Sequence, residues 1–261
     1  MGKIAIQPKK LNGGVQIPPS KSISHRAIIC ASLAKGVSEL KNVGKSEDIS
    51  ATIEAMRAFG AKITEYGDRL VIDGTDTLKA DDIPEINCRE SGSTVRFLVP
   101  LALHCKSPVT FTGTGRLPQR PMNTFFNLFD EFGIAYKTPK DAGLPLTVYG
   151  GEISGAIEIE GNISSQFISG LLFSLPLCPY DSEIIITTAF ESKGYIDMTI
   201  DVLASFGITV HNHNYKKFRI KGNQAYKPMS FTVEADYSQA AFYFAAGALG
   251  SFVVCKGLSA E

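Results

Sequence analysis

Apolar residues along this chain recur at helical spacing in a series of stretches, and at alternating spacing in the short runs between them. Three of the helical stretches, residues 47–59, 122–132 and 196–206, are amphipathic and end on the same signature: Phe59-Gly60-Ala61-Lys62-Ile63, Phe132-Gly133-Ile134-Ala135-Tyr136 and Phe206-Gly207-Ile208-Thr209-Val210. The Phe-Gly pairs stand 73 and 74 residues apart, which predicts an internal repeat. Each glycine sits just past a helix end, where a left-handed residue closes the last turn. Two short strands follow each pair; the second ones, 70–72, 146–148 and 218–220, run out to Gly74, Gly150 and Gly222. Before each amphipathic helix lie a more apolar helix, beginning near Lys21, Ser91 or Ser164, and a strand, 38–43, 109–112 or 183–187. The unit is helix, strand, helix, strand, strand, used three times.

A fourth copy opens at Glu234-Ala235-Asp236-Tyr237-Ser238-Gln239, with a small-residue helix over 240–249 and a strand from Phe252. Asp236 is placed to cap that helix. No second helix follows, so the chain is expected to be a fragment, with 20–228 as a three-repeat domain and 1–19 and 229–261 as parts of a second. Residues 240–255 carry no charge, but the stretch is short and broken by glycine, and the expectation is a buried helix and strand rather than a membrane span.

Composition narrows the classes. With 261 residues, 44% of them hydrophobic, the chain can bury a substantial core in more than one compact unit. Formal net charge is zero and no Lys/Arg block is interleaved with aromatics, which argues against a nucleic-acid surface. The five cysteines, Cys30, Cys88, Cys105, Cys178 and Cys255, form no C-x-x-C pair and read as reduced thiols of a cytoplasmic protein. His211 and His213 lie at a hairpin tip with no third ligand nearby, so a metal site is disfavoured.

The candidate chemistry sits at the helix starts. Pro18-Pro19-Ser20-Lys21-Ser22-Ile23-Ser24-His25-Arg26 places two cations at the already positive N-terminus of a helix, and an anion between them would relieve the repulsion. The equivalent starts are Ser91-Gly92-Ser93-Thr94 and Ser164-Ser165-Gln166, and three such ends around a pseudo-threefold axis should converge on one polyanion site. Arg96 follows Gly92 by four residues and reads either as a ligand or as an ion-pair partner of Glu90 or Asp48. Arg120 lies on a Gly/Pro-rich loop that feeds a helix start, with Pro121 expected at its first position; this context favours a ligand role. Glu191-Ser192-Lys193-Gly194-Tyr195 occupies the equivalent place in the third repeat.

Together, Lys21-Ser22-Ile23-Ser24-His25-Arg26, Glu90-Ser91-Gly92-Ser93-Thr94-Val95-Arg96, Gln119-Arg120-Pro121-Met122, Ser164-Ser165-Gln166 and Ser192-Lys193-Gly194-Tyr195-Ile196-Asp197 resemble the 5-enolpyruvylshikimate-3-phosphate synthase family (3-phosphoshikimate 1-carboxyvinyltransferases). The resemblance spans Lys21 to the Asp236 region, although the family is considerably longer than this chain. It implies a mixed α/β (α+β) fold of two domains, each of three βαβαββ units around a pseudo-threefold axis, with the active site between them. It also implies a transferase of the shikimate pathway, inhibited by glyphosate, that needs no metal or organic cofactor, works on shikimate-3-phosphate and phosphoenolpyruvate without nucleic acid or membrane, and is a monomer at full length.

Carried over residue by residue, Lys21, Ser22, Arg26, Ser164, Ser165, Gln166, Ser192 and Tyr195 are similar to the family's shikimate-3-phosphate contacts. Lys21, Gly92, Arg120 and Gln166 are similar to its phosphoenolpyruvate contacts, and Lys21 is the one residue present that the resemblance makes catalytic. Two positions depart from the common pattern: Glu90 stands where many members carry Asn, and Phe97 where many carry Pro. The related UDP-N-acetylglucosamine enolpyruvyl transferases would carry Asn in place of Ser22 and a reactive cysteine in the 113–120 loop, which has none. A non-enzymatic RNA-binding module of βαβαββ units is disfavoured by the neutral charge.

Overall fold

Proline, serine and glycine punctuate the chain into its elements. The structure, a computed structural model, describes Ala5 and residues 7–259. Strand β1 (Asn12–Gln16) is stopped by Pro18 and Pro19, and helix α1 (Lys21–Leu33) starts at once on a Ser20 N-cap. Strand β2 (Val37–Lys41), helix α2 (Glu47–Ala58) and the hairpin β3 (Lys62–Tyr66) and β4 (Arg69–Asp73) complete the first repeat. The second runs β5 (Ile86–Asn87), α3 (Gly92–Leu98), β6 (Val109–Thr112), α4 (Asn123–Phe132), β7 (Tyr136–Lys137) and β8 (Leu146–Val148). The third runs β9 (Gly155–Ile159), α5 (Ser165–Ser174), β10 (Ser182–Ile186), α6 (Lys193–Ser205), β11 (Val210–His213) and β12 (Lys217–Ile220). Strand β13 (Ser230–Thr232), helix α7 (Tyr237–Ala248) and strand β14 (Phe252–Lys256) follow.

Each repeat builds one four-stranded sheet in the same order, β13-β2-β4-β3, β5-β6-β8-β7 and β9-β10-β12-β11, with the first pair parallel and the others antiparallel. The first repeat borrows its opening strand from beyond the third: β13 pairs Ser230, Phe231 and Thr232 with Glu39, Leu40 and Lys41. Residues 230–232, expected outside the three-repeat domain, are thus hydrogen-bonded into its first sheet, which closes the ring of units. One continuous core fills the space between sheets and helices, with Phe59, Phe97, Phe111, Phe125, Phe129, Phe167, Phe173, Phe206 and Phe218 fully buried.

The repeated glycines have a common cause. A Cβ on Gly74 would lie 2.3 Å from the Ser32 carbonyl, on Gly150 3.0 Å from that of Cys105, and on Gly222 2.5 Å from that of Tyr180, so each hairpin ends pressed against the segment leaving its repeat's first helix. Helices α3 and α5 tighten into 3₁₀ turns at Val99–His104 and Leu175–Leu177, where Pro100 and Pro176 lack the amide that an α-helix would use. Pro100 therefore leaves the Arg96 carbonyl without its helical donor, and Gly170 of α5 packs onto that carbonyl: a Cβ there would sit 2.2 Å from the oxygen.

Helix α4 differs from expectation. Pro121 is not its first residue; Met122 is the N-cap, without a side-chain bond, and the Pro121 carbonyl accepts the Arg96 guanidinium instead. Strands β1 and β14 pair in parallel and pack with α7 around Ile17, Ala235 and Ala240. Asp236 caps α7, accepting the Ser238 amide at 2.8 Å. The burial expected for this helix and strand is not seen: Phe242, Leu249 and Phe252 are 76, 83 and 70% exposed. Among the described residues no helix is long and apolar enough to cross a membrane.

The Gly170 contact yields a stability test. Gly170→Ala must separate α3 from α5 or distort one of them, and should lose about 1–3 kcal/mol in urea unfolding, as overpacked cores do. Gly194→Ala, in the open first turn of α6 with no atom outside its own turn within 4 Å of the added methyl group, should be neutral or gain up to about 1 kcal/mol.

Candidate functional site

The inner helices α1, α3 and α5 are capped alike. Ser20, Ser91 and Ser164 accept the amides of Ile23, Thr94 and Gln166 at 3.3, 3.2 and 3.3 Å. Their N-terminal ends meet that of α6 around a cavity of about 410 Å³ lined by Lys21, Ser22, Arg26, Ser93, Phe97, Ile163, Ser164, Ser165, Gln166, Ser192 and Tyr195. All eight residues that the resemblance assigns to shikimate-3-phosphate are therefore brought together, from the first and third repeats. A larger cavity of about 600 Å³ lies along α6 and carries Asp197, Asp201 and Glu234 without a cation, the wrong sign for a phosphate.

Arg26 forms the floor. It is 2% exposed, and its Nε, Nη1 and Nη2 donate to Thr199 Oγ1 at 2.8 Å, the Ser22 carbonyl at 2.7 Å and the Tyr195 carbonyl at 3.1 Å. Its guanidinium lies 5.0 Å over the Phe97 ring. Burial lowers its pKa to about 10, which leaves it charged at neutral pH. A buried arginine with three committed donors ties α1 to α6 as well as lining the cavity, a structural duty that its place in the motif does not reveal. Lys21 stands at the rim, half-exposed, with its Nζ 2.7 Å from Asp48 Oδ2 on α2.

Gly92 and Arg120 sit beside this cavity rather than in its wall. The Arg120 Nη1 occupies the place of a side chain at Gly92, 2.7 Å from where a Cβ would be, and Arg96 Nη1 is 3.8 Å from the same point. Arg120 forms no ion pair among the described residues and also borders a cavity of about 490 Å³ with Gln119, Phe126 and Tyr136. Arg96 pairs with neither Glu90 nor Asp48: it donates to Gln166 Oε1 at 2.9 Å and to the Pro121 carbonyl at 3.3 Å, and lies 4.8 Å over Phe167. Its pKa is lowered by burial first and by the Arg120 charge second. Two adjacent guanidiniums that lack a carboxylate partner hold a concentrated positive potential, which an anion would neutralise.

Gln166 joins the halves, accepting from Arg96 and donating through Nε2 to Ser93 Oγ at 2.8 Å. Ser192 holds a left-handed backbone, φ 57°, at the N-cap of α6, yet its hydroxyl caps nothing. An uncommitted hydroxyl on a costly conformation is a mark of a functional position. Tyr195 is 46% exposed.

Sequence reasoning placed Ser93 in a helix start without giving it a contact, offered Asp48 only as a partner of Arg96, and passed over the hydroxyl chain beneath them. His25 Nδ1 bonds Thr52 Oγ1, Thr52 bonds Thr94, and Thr94 bonds Ser91 Oγ, each at 2.7 Å and all within the core. Burial drives the His25 pKa down to about 3, so the ring is neutral in the folded protein. Ser93 was findable, one residue past the Ser91-Gly92 pair. The others are far from their partners in sequence and carry no local signature.

The fold is also that of EPSP synthase from Acinetobacter baumannii, whose structure superposes with a TM-score of 0.83 at 23% identity, over 98% of this chain and 57% of that one. The chain belongs to the EPSP synthase (3-phosphoshikimate 1-carboxyvinyltransferase) family, whose model matches residues 6–261. It is 54% identical over 258 residues to the 3-phosphoshikimate 1-carboxyvinyltransferase of Clostridium perfringens strain SM101, and 51% identical over 267 residues to that of Clostridium beijerinckii. These matches take in 99% and 100% of this chain and 61% of each relative's length, so the chain spans about three-fifths of the curated relatives it matches.

Two tests arise from this geometry. Gly92→Ala pushes only the mobile end of Arg120, so the unfolding free energy, followed in urea, should change by less than about 1 kcal/mol. For His25, the unfolded ring takes up a proton near pH 6.5 and the folded ring near pH 3, so the unfolded state binds more protons in between and stability falls on acidification. Between pH 6.5 and 5 the slope should approach about 1.4 kcal/mol per pH unit from this group, with His104, also lowered by burial, adding in the same sense. Urea unfolding of His25→Asn across that range should show a shallower slope.

Proposed function

We propose that this chain carries the shikimate-3-phosphate-binding part of a 5-enolpyruvylshikimate-3-phosphate synthase, and that β1, α7 and β14 begin the facing domain. The reaction transfers the enolpyruvyl group from phosphoenolpyruvate to the 5-hydroxyl of shikimate-3-phosphate: the hydroxyl gives up its proton and its oxygen adds to C2 as C3 gains a proton, and the tetrahedral adduct then loses phosphate from C2 and a proton from C3. The observation that carries this reading is the cavity in which Lys21, Ser22, Arg26, Ser164, Ser165, Gln166, Ser192 and Tyr195 meet.

Its chemistry suits a hydroxylated ring bearing a carboxylate and a phosphate. Serine hydroxyls and the Gln166 amide can donate to and accept from ring hydroxyls, while Lys21 and the unused donors of Arg26 meet anionic oxygens. Arg120 and the backbone at Gly92 lie where a second, smaller anion would sit beside the first, and no side chain at Gly92 blocks the approach. Lys21, at the rim of the cavity, would be the residue to stabilise charge on the departing phosphate or the attacking oxygen.

Ligand-observed NMR on the chain should detect shikimate-3-phosphate with a Kd on the order of 1 mM, because a few charge-assisted bonds are offset by the cost of immobilising a small ligand. Lys21→Met should weaken it about tenfold or more and Ser192→Ala by a smaller factor of about five. Both positions are on the surface, so folding should survive. Equal binding by the wild type and both variants would place the ligand elsewhere.

A further inference from the structure

Lys21 is the first residue of α1, where the helix macrodipole and the Arg26 charge both push a cation away. What holds its ammonium is Asp48, 2.7 Å away in the first turn of α2. That turn is unusually well anchored. Ser46 caps it through the Ile49 amide, and the Asp48 carbonyl lies 3.4 Å from Thr94 Oγ1 of α3. Thr94 is itself locked to Ser91, Thr52 and, through Thr52, His25, all buried. A flexible, half-exposed lysine is thereby tied to a carboxylate on a rigid base.

The pair does little for the fold. Lys21 and Asp48 side chains are 53% and 29% exposed, and ion pairs so wetted contribute little to stability. Its larger effect falls on where the ammonium is. Untethered, Lys21 samples its many rotamers and is driven outward into solvent by the helix terminus; tethered, it stays at the cavity rim with N–H donors left over for a ligand.

We propose that Asp48 is a positioning residue for Lys21, holding the ammonium in place before substrate arrives. The proposal takes the cavity to be the substrate site proposed above. Asp48 touches no ligand in this scheme, and it acts only through Lys21.

The test uses the chain with ¹⁵N-labelled lysine. A hydrogen-bonded ammonium exchanges its protons slowly, so the wild type should show a Lys21 side-chain resonance at low temperature that Lys21→Met removes. Asp48→Asn should abolish this resonance and weaken shikimate-3-phosphate about fivefold, whereas Asp48→Glu keeps the resonance and most of the affinity, with melting temperatures of both variants close to wild type. A merely structural role would move the melting temperature and leave the resonance in place. An unchanged resonance in Asp48→Asn, or affinity equal to or above wild type, overturns the proposal. Should wild-type chain fail to bind shikimate-3-phosphate at all, the substrate reading falls, and the ammonium resonance still decides whether Asp48 holds Lys21.

Discussion

Burying the Arg26 guanidinium is the constraint on which the rest of this structure turns. An unpaired charge inside a protein costs several kcal/mol, so an arginine at 2% exposure is tolerable only if its donors are met. They are met by the third repeat: the Tyr195 carbonyl and the Thr199 hydroxyl of α6, together with the Ser22 carbonyl of its own helix. No carboxylate is used, so the positive charge remains available to the cavity above it. The seam joining the third repeat to the first is therefore also the floor of the candidate site, and β13 closes the same ring at the sheet level.

The three repeats share a backbone and divide the chemistry. Thr52, Phe125 and Thr199 each stand seven residues before the repeated Phe-Gly pair, facing the inner helices. Thr52 links His25 to Thr94, and Thr199 links Arg26 to Ser169, while Phe125 packs edge-on against Phe167, with ring centroids 4.9 Å apart. Two seams are polar and one is aromatic. The functional groups divide as unevenly: the first repeat brings Lys21, Ser22 and Arg26, the second Gly92, Ser93, Arg96 and Arg120, and the third Ser164, Ser165, Gln166, Ser192 and Tyr195. A near-symmetric scaffold thus surrounds an asymmetric cavity, as an asymmetric ligand requires.

Arg96 shows how packing decides the role of a residue that its motif leaves open. Pro100 strips its carbonyl of a helical donor, Gly170 packs onto that carbonyl, and the guanidinium is turned toward Gln166 and Pro121. One residue then touches the helix crossing, the amide that faces the cavity and the loop that bears Arg120.

Much of this architecture was legible in the residues. Helical and alternating periodicities are local, so the repeats, the Phe-Gly helix ends, the serine caps and the closing glycines could be read one turn at a time. The motifs that resemble the EPSP synthase family also named the residues that share the cavity. What could not be read were the partners. Lys21 with Asp48, His25 with Thr52, Arg26 with Thr199, and β13 with β2 are separated by 27, 27, 173 and 191 residues, and no local spacing encodes a contact between distant segments. Pro121 and the exposed face of α7 failed to follow local rules for the same reason: a helix start and a burial state depend on what else packs there. Sequence by itself determined the elements, their threefold repetition and the kinds of chemical group at each helix start. Tertiary structure alone decided which of those groups are committed to holding the ring together and which remain free to meet a ligand, because burial and hydrogen-bond satisfaction are settled only when the whole chain has closed on itself.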